Sequence, residues 1–392
     1  MIKVLVIGQI PKEVGGSYTT GVCNVVYELG KQSTPGIEQR IFVTNAPDSV
    51  ASNLIYGNNS FVGFTKNPLR MLLRVIFHPL KTYKQWMFYL VNGETKIIRE
   101  EFYKDNIIEV IKTFQPDIIH CLNVHQLAAT FFAKDSRKIP IIQTYHGVFS
   151  THRTIKTVLS ANKFFDYVTG LTDETISKIQ GRFSLPEDII FKIPNGVDSS
   201  KVYFSQDERI RLRKEMMINE NIMVFLTVAS LQMRKGQQSF IKILEKLDFD
   251  YQYWLIGGGE DYETIKAYCE DHHLEDKIKL IGYVSHNELY KYYSAADIYA
   301  HASIAEGQSL SEIEAYTTGM RTAVNKKIIG TVISELSDIR YFVYDEDNFE
   351  YEQFKEWIKK GRNERKTSFL FDWSAIAGKY AECYKEVYNR KK

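Results

Sequence analysis

The residues that most restrict the fold are 296–324, ADIYAHASIAEGQSLSEIEAYTTGMRTAV. Asp297 to Ala300 is a short apolar run of the kind that forms a buried strand in a parallel sheet. Ser303 to Gln308 is a polar turn containing Gly307, and Ser309 to Thr318 reads as a helix. Ser309 and Glu312 have the S-x-x-E spacing of a capping box, and Gly319 stands where a helix stop belongs. A strand, a tight loop and a helix N-terminus leave backbone N–H groups pointing outward, which suits an anion. Glu306 in the loop and Glu314 in the helix frame that site.

The same unit recurs along the chain. Ile2 to Ile7 is an apolar run, Gly8 to Ser17 follow as a loop, and Tyr18 to Gly30 carries Val22, Val25, Val26 and Leu29 on one helical face. This is the opening unit of a doubly wound fold, and Gly15-Gly16 offers backbone N–H groups with no side chain to keep an anion away. Strands are expected at Arg40 to Thr44, after Pro116-Asp117, at Ile139 to Tyr145, at Tyr167 to Leu171 and at Ile189 to Ile193. Helices are expected at Thr95 to Phe114 and Val124 to Lys134. Pro194-Asn195-Gly196 breaks the pattern, which restarts with strands at Met223 to Ala229, Tyr251 to Ile256 and Lys277 to Ile281. Gly257-Gly258-Gly259 lacks the G-x-G-x-x-G spacing of a nicotinamide site. A last helix runs from Asp372 to Tyr388. The expected organisation is therefore an α/β chain with a Rossmann-like domain at 1–195, a second at 196–370 and a helix in 371–392 that returns to the first.

Composition narrows the class. With 392 residues, 44% hydrophobic and 25% charged, the chain is long enough for two sizeable cores. A net charge of +2 gives no global attraction to nucleic acid. The four cysteines, Cys23, Cys121, Cys269 and Cys383, are scattered without C-x-x-C pairing, so neither a disulfide framework nor a zinc site is expected, and a reducing cytoplasm fits. Met1 is followed at once by a strand, so no secretory leader is expected, nor any run long enough to span a bilayer.

The motif S-x-x-E-G-x-x-L-x-x-x-E-A, which contains Glu306 and Glu314 as E-x7-E, resembles the signature of retaining glycosyltransferases of family 4, which have the GT-B fold. Ile193-Pro194-Asn195-Gly196-Val197-Asp198 is similar to the family's crossing between halves, and Thr144-Tyr145-His146-Gly147 to a strand end that faces its cleft. The resemblance implies two Rossmann-like domains with a nucleotide-sugar donor between them and no metal or other cofactor. Lys235, in Leu231-Gln232-Met233-Arg234-Lys235-Gly236, matches the family's phosphate-binding lysine; Ser230 stands where many members carry a second cation, leaving Arg234 as the substitute. Glu306 would face the donor sugar, Glu314 the ribose, and His146 the sugar or the reaction centre. The N–H groups of Ser309 and Leu310 would cap the phosphate and Gln308 donate to an oxygen, with Gly257 lining the site. The base would lie near Gly282 to Val284, beside Tyr283 and Val284. Gly15 and Gly16 would approach the phosphates from the other domain. His120 and His125 read as ordinary buried or surface histidines.

One stretch stands outside these motifs. From Ser49 to Gly93 there is no Asp or Glu, while Lys66, Arg70, Arg74, Lys81 and Lys84 lie among Phe61, Phe64, Phe77, Tyr83, Trp86 and Phe88. A helix from Pro68 to Phe77 brings Arg70 and Arg74 to i,i+4 on one face, where like charges repel, so an outside anion is expected to compensate them. Basic residues interleaved with aromatics suit the headgroup zone of an anionic membrane. The expected protein is therefore an α-forming transferase that moves sugar to a lipid-linked or polysaccharide acceptor for the cell surface, peripheral on the inner face of the membrane. The alternatives are a non-catalytic partner subunit of the same fold or a nucleotide-sugar epimerase.

Overall fold

The computed structural model describes residues 1–91, 97–123, 127–134, 138–147, 164–331, 340–362 and 371–391. Thr95, His125, Val148 and the first three residues of the helix expected from Val124 lie outside them. The chain divides into two compact units, one made of Met1–Asn195 with Trp373–Lys392 and the other of Gly196–Asp372.

The first unit runs β1 (Ile2–Gly8), α1 (Gly21–Lys31), β2 (Ile37–Pro47), α2 (Asp48–Ala51), β3 (Ile55–Tyr56), β4 (Asn59–Phe64), α3 (Pro68–Phe77), α4 (Pro79–Val91), α5 (Ile97–Phe114), β5 (Ile118–Cys121), α6 (Leu127–Lys134), β6 (Ile141–Tyr145), β7 (Tyr167–Gly170), α7 (Asp173–Phe183) and β8 (Ile190–Lys192). Its sheet has the order β3-β4-β2-β1-β5-β6-β7-β8, parallel except for the β3–β4 pair. The second unit holds α8 (Gln206–Glu215), β9 (Met223–Val228), α9 (Gln237–Leu244), β10 (Tyr251–Ile256), α10 (Tyr262–Asp271), β11 (Ile278–Gly282), α11 (Leu289–Ala295), β12 (Ile298–His301), α12 (Leu310–Thr317), β13 (Arg321–Asn325), β14 (Tyr341–Tyr344) and α13 (Tyr351–Ile358). Its sheet, β11-β10-β9-β12-β13-β14, is parallel throughout. The chain then re-enters the first unit as α14 (Trp373–Lys391).

Both sheets start at a central strand, wind outward one way and then the other. The direction reverses at β1/β5 in the first and at β9/β12 in the second. Loops leaving two neighbouring strands at such a switch point diverge and open a crevice, where ligands of doubly wound folds bind. Strands covered on both faces need unbroken apolar runs: Val224, Phe225, Leu226, Trp254, Leu255, Ile298 and Tyr299 are all essentially inaccessible.

Two local differences from the sequence reading have clear causes, while His120 is the ordinary buried histidine expected of it. Helix α1 begins at Gly21, not Tyr18, because Thr20 caps it by accepting the Cys23 N–H at 3.3 Å. Phe61 and Phe64 belong to strand β4, with Phe61 against Gly30 and Phe64 edge-on to Tyr103, so they are core residues and no part of a membrane-facing stretch. His120 is fully buried, bonded at 2.7 Å to Tyr384 of α14 and at 2.7 Å to Thr144 of β6; burial pushes its pKa down to about 3.

Candidate functional site

The loops that leave β9 and β12 carry Lys235 and Glu306, and main-chain bonds brace the strand ends around them, the last of those that follow joining the two loops directly. Ala229 N–H donates to Ile256 O, Leu231 N–H to Gly258 O, Gly257 N–H to Gly282 O and Ile304 N–H to Arg234 O. Gly236 is required: its φ of +67° is left-handed, and a Cβ there would meet Ala302 O at 2.0 Å. The turn Met233–Lys235 thereby lies directly on the end of β12. Gly257, with φ +130° and Ala229 O 2.1 Å from a notional Cβ, seats the next loop by the same close approach.

This packing places Lys235 Nζ against Glu306 Oε1 as a direct ion pair. Ser303 Oγ donates to the same oxygen at 3.2 Å, and Arg234 Nη1 lies 3.9 Å from Glu306 Oε2. Arg234 thus points toward the cluster, while Ser230 adds no charge and uses its carbonyl to accept from Gln237 Nε2 at 2.9 Å. Burial alone would raise the Glu306 pKa, but Lys235, His301 and Arg234 outweigh it and hold the carboxyl below its usual value. His301, the last residue of β12, is buried beside this pair; desolvation pushes it down to about 4 against the pull of Glu306.

Glu314 sits on α12 and is 6% exposed. Its Oε1 is 2.8 Å from His286 Nε2, and its Oε2 accepts from the Tyr293 hydroxyl at 2.8 Å. The carboxylate is therefore held on both sides rather than solvated, with a lone pair left on each oxygen. Ser309 caps α12 by accepting the Glu312 N–H at 3.4 Å. The other half of the expected capping box does not form, because the buried Glu312 carboxyl accepts from Tyr341 OH instead. The Ser309 and Leu310 N–H groups stand ahead of the first intrahelical bonds of α12. Gln308 is half-buried beside them, Tyr283 is exposed and Val284 packs on the core.

The remaining expected residues lie in the first unit. Gly15 N–H donates to Lys12 O and Gly16 N–H to Pro11 O, both at 3.0 Å, so neither is available to an anion. The tight turn at Lys12–Val14 consumes them, and the glycines serve the close approach of Ile10 O and Val50 instead. His146 follows β6; its Nε2 is buried with no hydrogen-bond partner among the described residues, and desolvation lowers its pKa to about 4, a main-chain contact with Leu122 working the other way.

The basic stretch is also corrected. Arg70 Nε is 2.5 Å from Asp105 Oδ2, Arg74 Nε is 2.6 Å from Asp105 Oδ1, and Arg70 also reaches Glu109 at 3.4 Å. The compensating anion is the buried Asp105 of α5, within the chain. Lys66, Lys81 and Lys84 stay exposed, and so do Leu69, Leu72, Ile76, Phe77, Leu80, Tyr83 and Leu90. No residue of α3 is buried.

Sequence reasoning missed Asp105, His286, Tyr293 and His301. Only His301 carried a signal, being a polar residue at the carboxyl end of an apolar strand.

The family model for Glycosyltransferase Family 4 matches residues 20–201, and that for Glycosyl transferases group 1 matches 208–336. The alpha-monoglucosyldiacylglycerol synthase of Streptococcus pneumoniae is 25% identical over 232 residues, 54% of this chain and 52% of that protein. The chain spans about half the length of the curated relatives it matches. Among solved structures, sucrose-phosphate synthase of Thermosynechococcus elongatus superposes with a TM-score of 0.72 at 15% identity, each chain covered in full. HepE of Anabaena, solved with UDP-glucose, gives 0.72 at 17% identity over 98% of this chain and 100% of its own. The chain belongs to the glycosyl transferases group 1 family, and its fold is of the GT-B class.

Proposed function

We propose that this protein is a retaining glycosyltransferase that takes a sugar from a nucleotide-diphosphate donor and delivers it to a lipid-linked or polysaccharide acceptor at the inner face of a membrane. The observation that carries this reading is the Lys235–Glu306–Arg234 cluster at the switch point of the second sheet, beside the N-terminus of α12. Departure of the diphosphate concentrates negative charge on its oxygens, and stabilisation must be in place where that charge develops. Lys235 and the Ser309 and Leu310 N–H groups supply it without a metal. When Lys235 turns to the phosphate, Arg234 and Ser303 keep Glu306 ionised and oriented toward the sugar. Glu314, fixed by His286 and Tyr293, presents its open lone pairs to the ribose hydroxyls. No carboxylate is then needed as a nucleophile: the leaving phosphate oxygen accepts the acceptor's proton on the same face.

The acceptor class rests on α3 and α4. Their exposed Leu, Ile, Phe, Tyr and Trp side chains, with Lys66, Lys81 and Lys84 beside them, form the pattern of a segment lying in a headgroup layer. No helix among the described residues is long and apolar enough to cross a membrane. The relative from Streptococcus pneumoniae is a glycolipid synthase, which agrees.

The test is incubation with a panel of nucleotide sugars and anionic vesicles, with and without chelator. The expected result is release of nucleoside diphosphate from one donor, unchanged by chelator and slowed about 10²-fold in Glu306→Gln. No release from any donor, or full activity in Glu306→Gln, would overturn the reading.

A further inference from the structure

His301 closes β12 and is 4% exposed, yet among the described residues no group hydrogen-bonds to either of its ring nitrogens. Proteins satisfy about nine in ten or more of their buried polar groups. His120 shows the usual arrangement, with both nitrogens bonded at 2.7 Å, one to Tyr384 and one to Thr144. A buried imidazole left open at the end of a strand is satisfied by what enters beside it.

The place of the ring narrows what that is. Side chains alternate between the faces of a strand, so Tyr299 and His301 share one, and their rings lie 6.1 Å apart. Tyr299 OH is 2.8 Å from Ser311 Oγ, which is 3.1 Å from Oγ of the capping Ser309. That face therefore runs beneath the first turn of α12, and His301 is the next residue on it toward the carboxyl end, where the crevice opens. The ring also feels the charges of Glu306 and Lys235, which pull its pKa in opposite directions.

A diphosphate held by Lys235 and the N-terminus of α12 would come against this ring. Other positive charge is scarce there. Ser230 carries none, and Arg234 is half-exposed, with Nε 3.1 Å from Gln232 Oε1 and Nη1 3.9 Å from Glu306 Oε2. An imidazole has at least one N–H in either charge state, so it can donate to a phosphate oxygen at any pH. Ionised Glu306 only accepts, which suits sugar hydroxyls instead. Hydrogen bonds to a charged oxygen are the stronger kind.

We propose that His301 contacts the donor, its ring N–H donating to the sugar-bearing phosphate beside Lys235. This rests on the nucleotide-sugar reading of the site, and adds to it the group that makes up for the cation missing at Ser230.

Calorimetric titration of the full chain with UDP, GDP and ADP, and with the matching monophosphates, tests it without turnover. The wild type should bind one of the diphosphates, and more tightly than its monophosphate. His301→Ala should weaken that diphosphate at least about tenfold and leave the monophosphate unchanged. His301→Leu fills the space without an N–H and should do the same, which separates a lost donor from lost packing. At least one of His301→Asn and His301→Gln, whose amides place an N–H near the positions of Nδ1 and Nε2, should restore most of the diphosphate's advantage. Equal losses for both nucleotides, unchanged diphosphate binding in the Ala and Leu variants, or no recovery with either amide overturns the assignment of His301 while the donor site stands. A wild type that binds none of the diphosphates overturns it together with the nucleotide-sugar reading.

Discussion

Gly236→Ala isolates how the catalytic loop is held. The substitution has two consequences that the structure separates. A left-handed φ of +67° for an alanine costs about 1–2 kcal/mol. The new Cβ would lie 2.0 Å from Ala302 O, and restoring a tolerable contact requires the Met233–Lys235 turn to retreat from β12 by about 1 Å. Lys235 moves with the turn, away from Glu306. A displacement of that size at a reacting centre is worth about 10²-fold in rate. Gly361 provides the control: it has the same φ of +67° and, among the described residues, nothing within 4 Å of where a Cβ would go. Gly361→Ala should therefore lose about 1–2 kcal/mol of stability at full turnover, whereas Gly236→Ala should lose about 10²-fold in kcat/KM as well. Nucleoside diphosphate release gives the rate, and urea denaturation gives the stability. Equal turnover in the two variants would refute the idea that close backbone contact aligns Lys235.

Three further outcomes are expected. Asp105→Asn leaves two arginines facing a neutral amide; because both are partly exposed, the loss should be about 2–3 kcal/mol in denaturation, against about 0.5 kcal/mol or less for Lys84→Ala, and an unchanged midpoint would refute the shared pairing. Burial pushes the Glu312 carboxyl from 4.5 up to about 8, Tyr341 and Arg340 opposing, so between those values the folded chain binds more protons than the unfolded one. Its stabilising effect is then complete below about pH 4.5 and is lost as pH rises through about 8; Glu312→Gln should flatten that slope by up to roughly 1.4 kcal/mol per pH unit, and parallel wild-type and variant curves would count against it. Glu314→Gln should raise the donor KM about tenfold with little change in kcat, His286→Ala less so in the same direction; a loss confined to kcat would move Glu314 from the ribose to the reacting centre.

Most of the strands were legible because they are short apolar runs, and Lys235 and Glu306 were legible because the loops after two of those strands carry motifs that resemble the family's. What escaped depended on partners far along the chain. Arg70 and Arg74 sit as a like-charged pair in an acid-free stretch, and nothing local points to Asp105, which α5 delivers into place. Glu312 has the right spacing for a capping box, yet Tyr341 of β14 donates to its buried carboxyl instead. Gly15-Gly16 looks like an open anion loop until the turn before it consumes both N–H groups. Strand β4 hides in Asn59–Phe64, where inward and outward residues alternate but Gly63 and two polar residues blur the pattern. Glu314 was recognised by its motif, while His286, which holds it, belongs to no spacing rule.

The path of the backbone through the two units has a consequence for biosynthesis. The second unit is an insertion: its ends are joined where Val197 N–H donates to Phe371 O at 2.7 Å and Ser199 Oγ to Asp372 at 2.6 Å. Emerging from the ribosome, residues 196–372 are complete while the first unit still lacks α14. That helix carries Tyr384, the partner of the buried His120, and packs on β1, β5 and α1. The usual order of N-terminal domain first is therefore reversed. The earlier-made half must wait with its β1/β5 flank uncovered until the last segment arrives, and that interval is when a nascent chain of this kind most needs a chaperone.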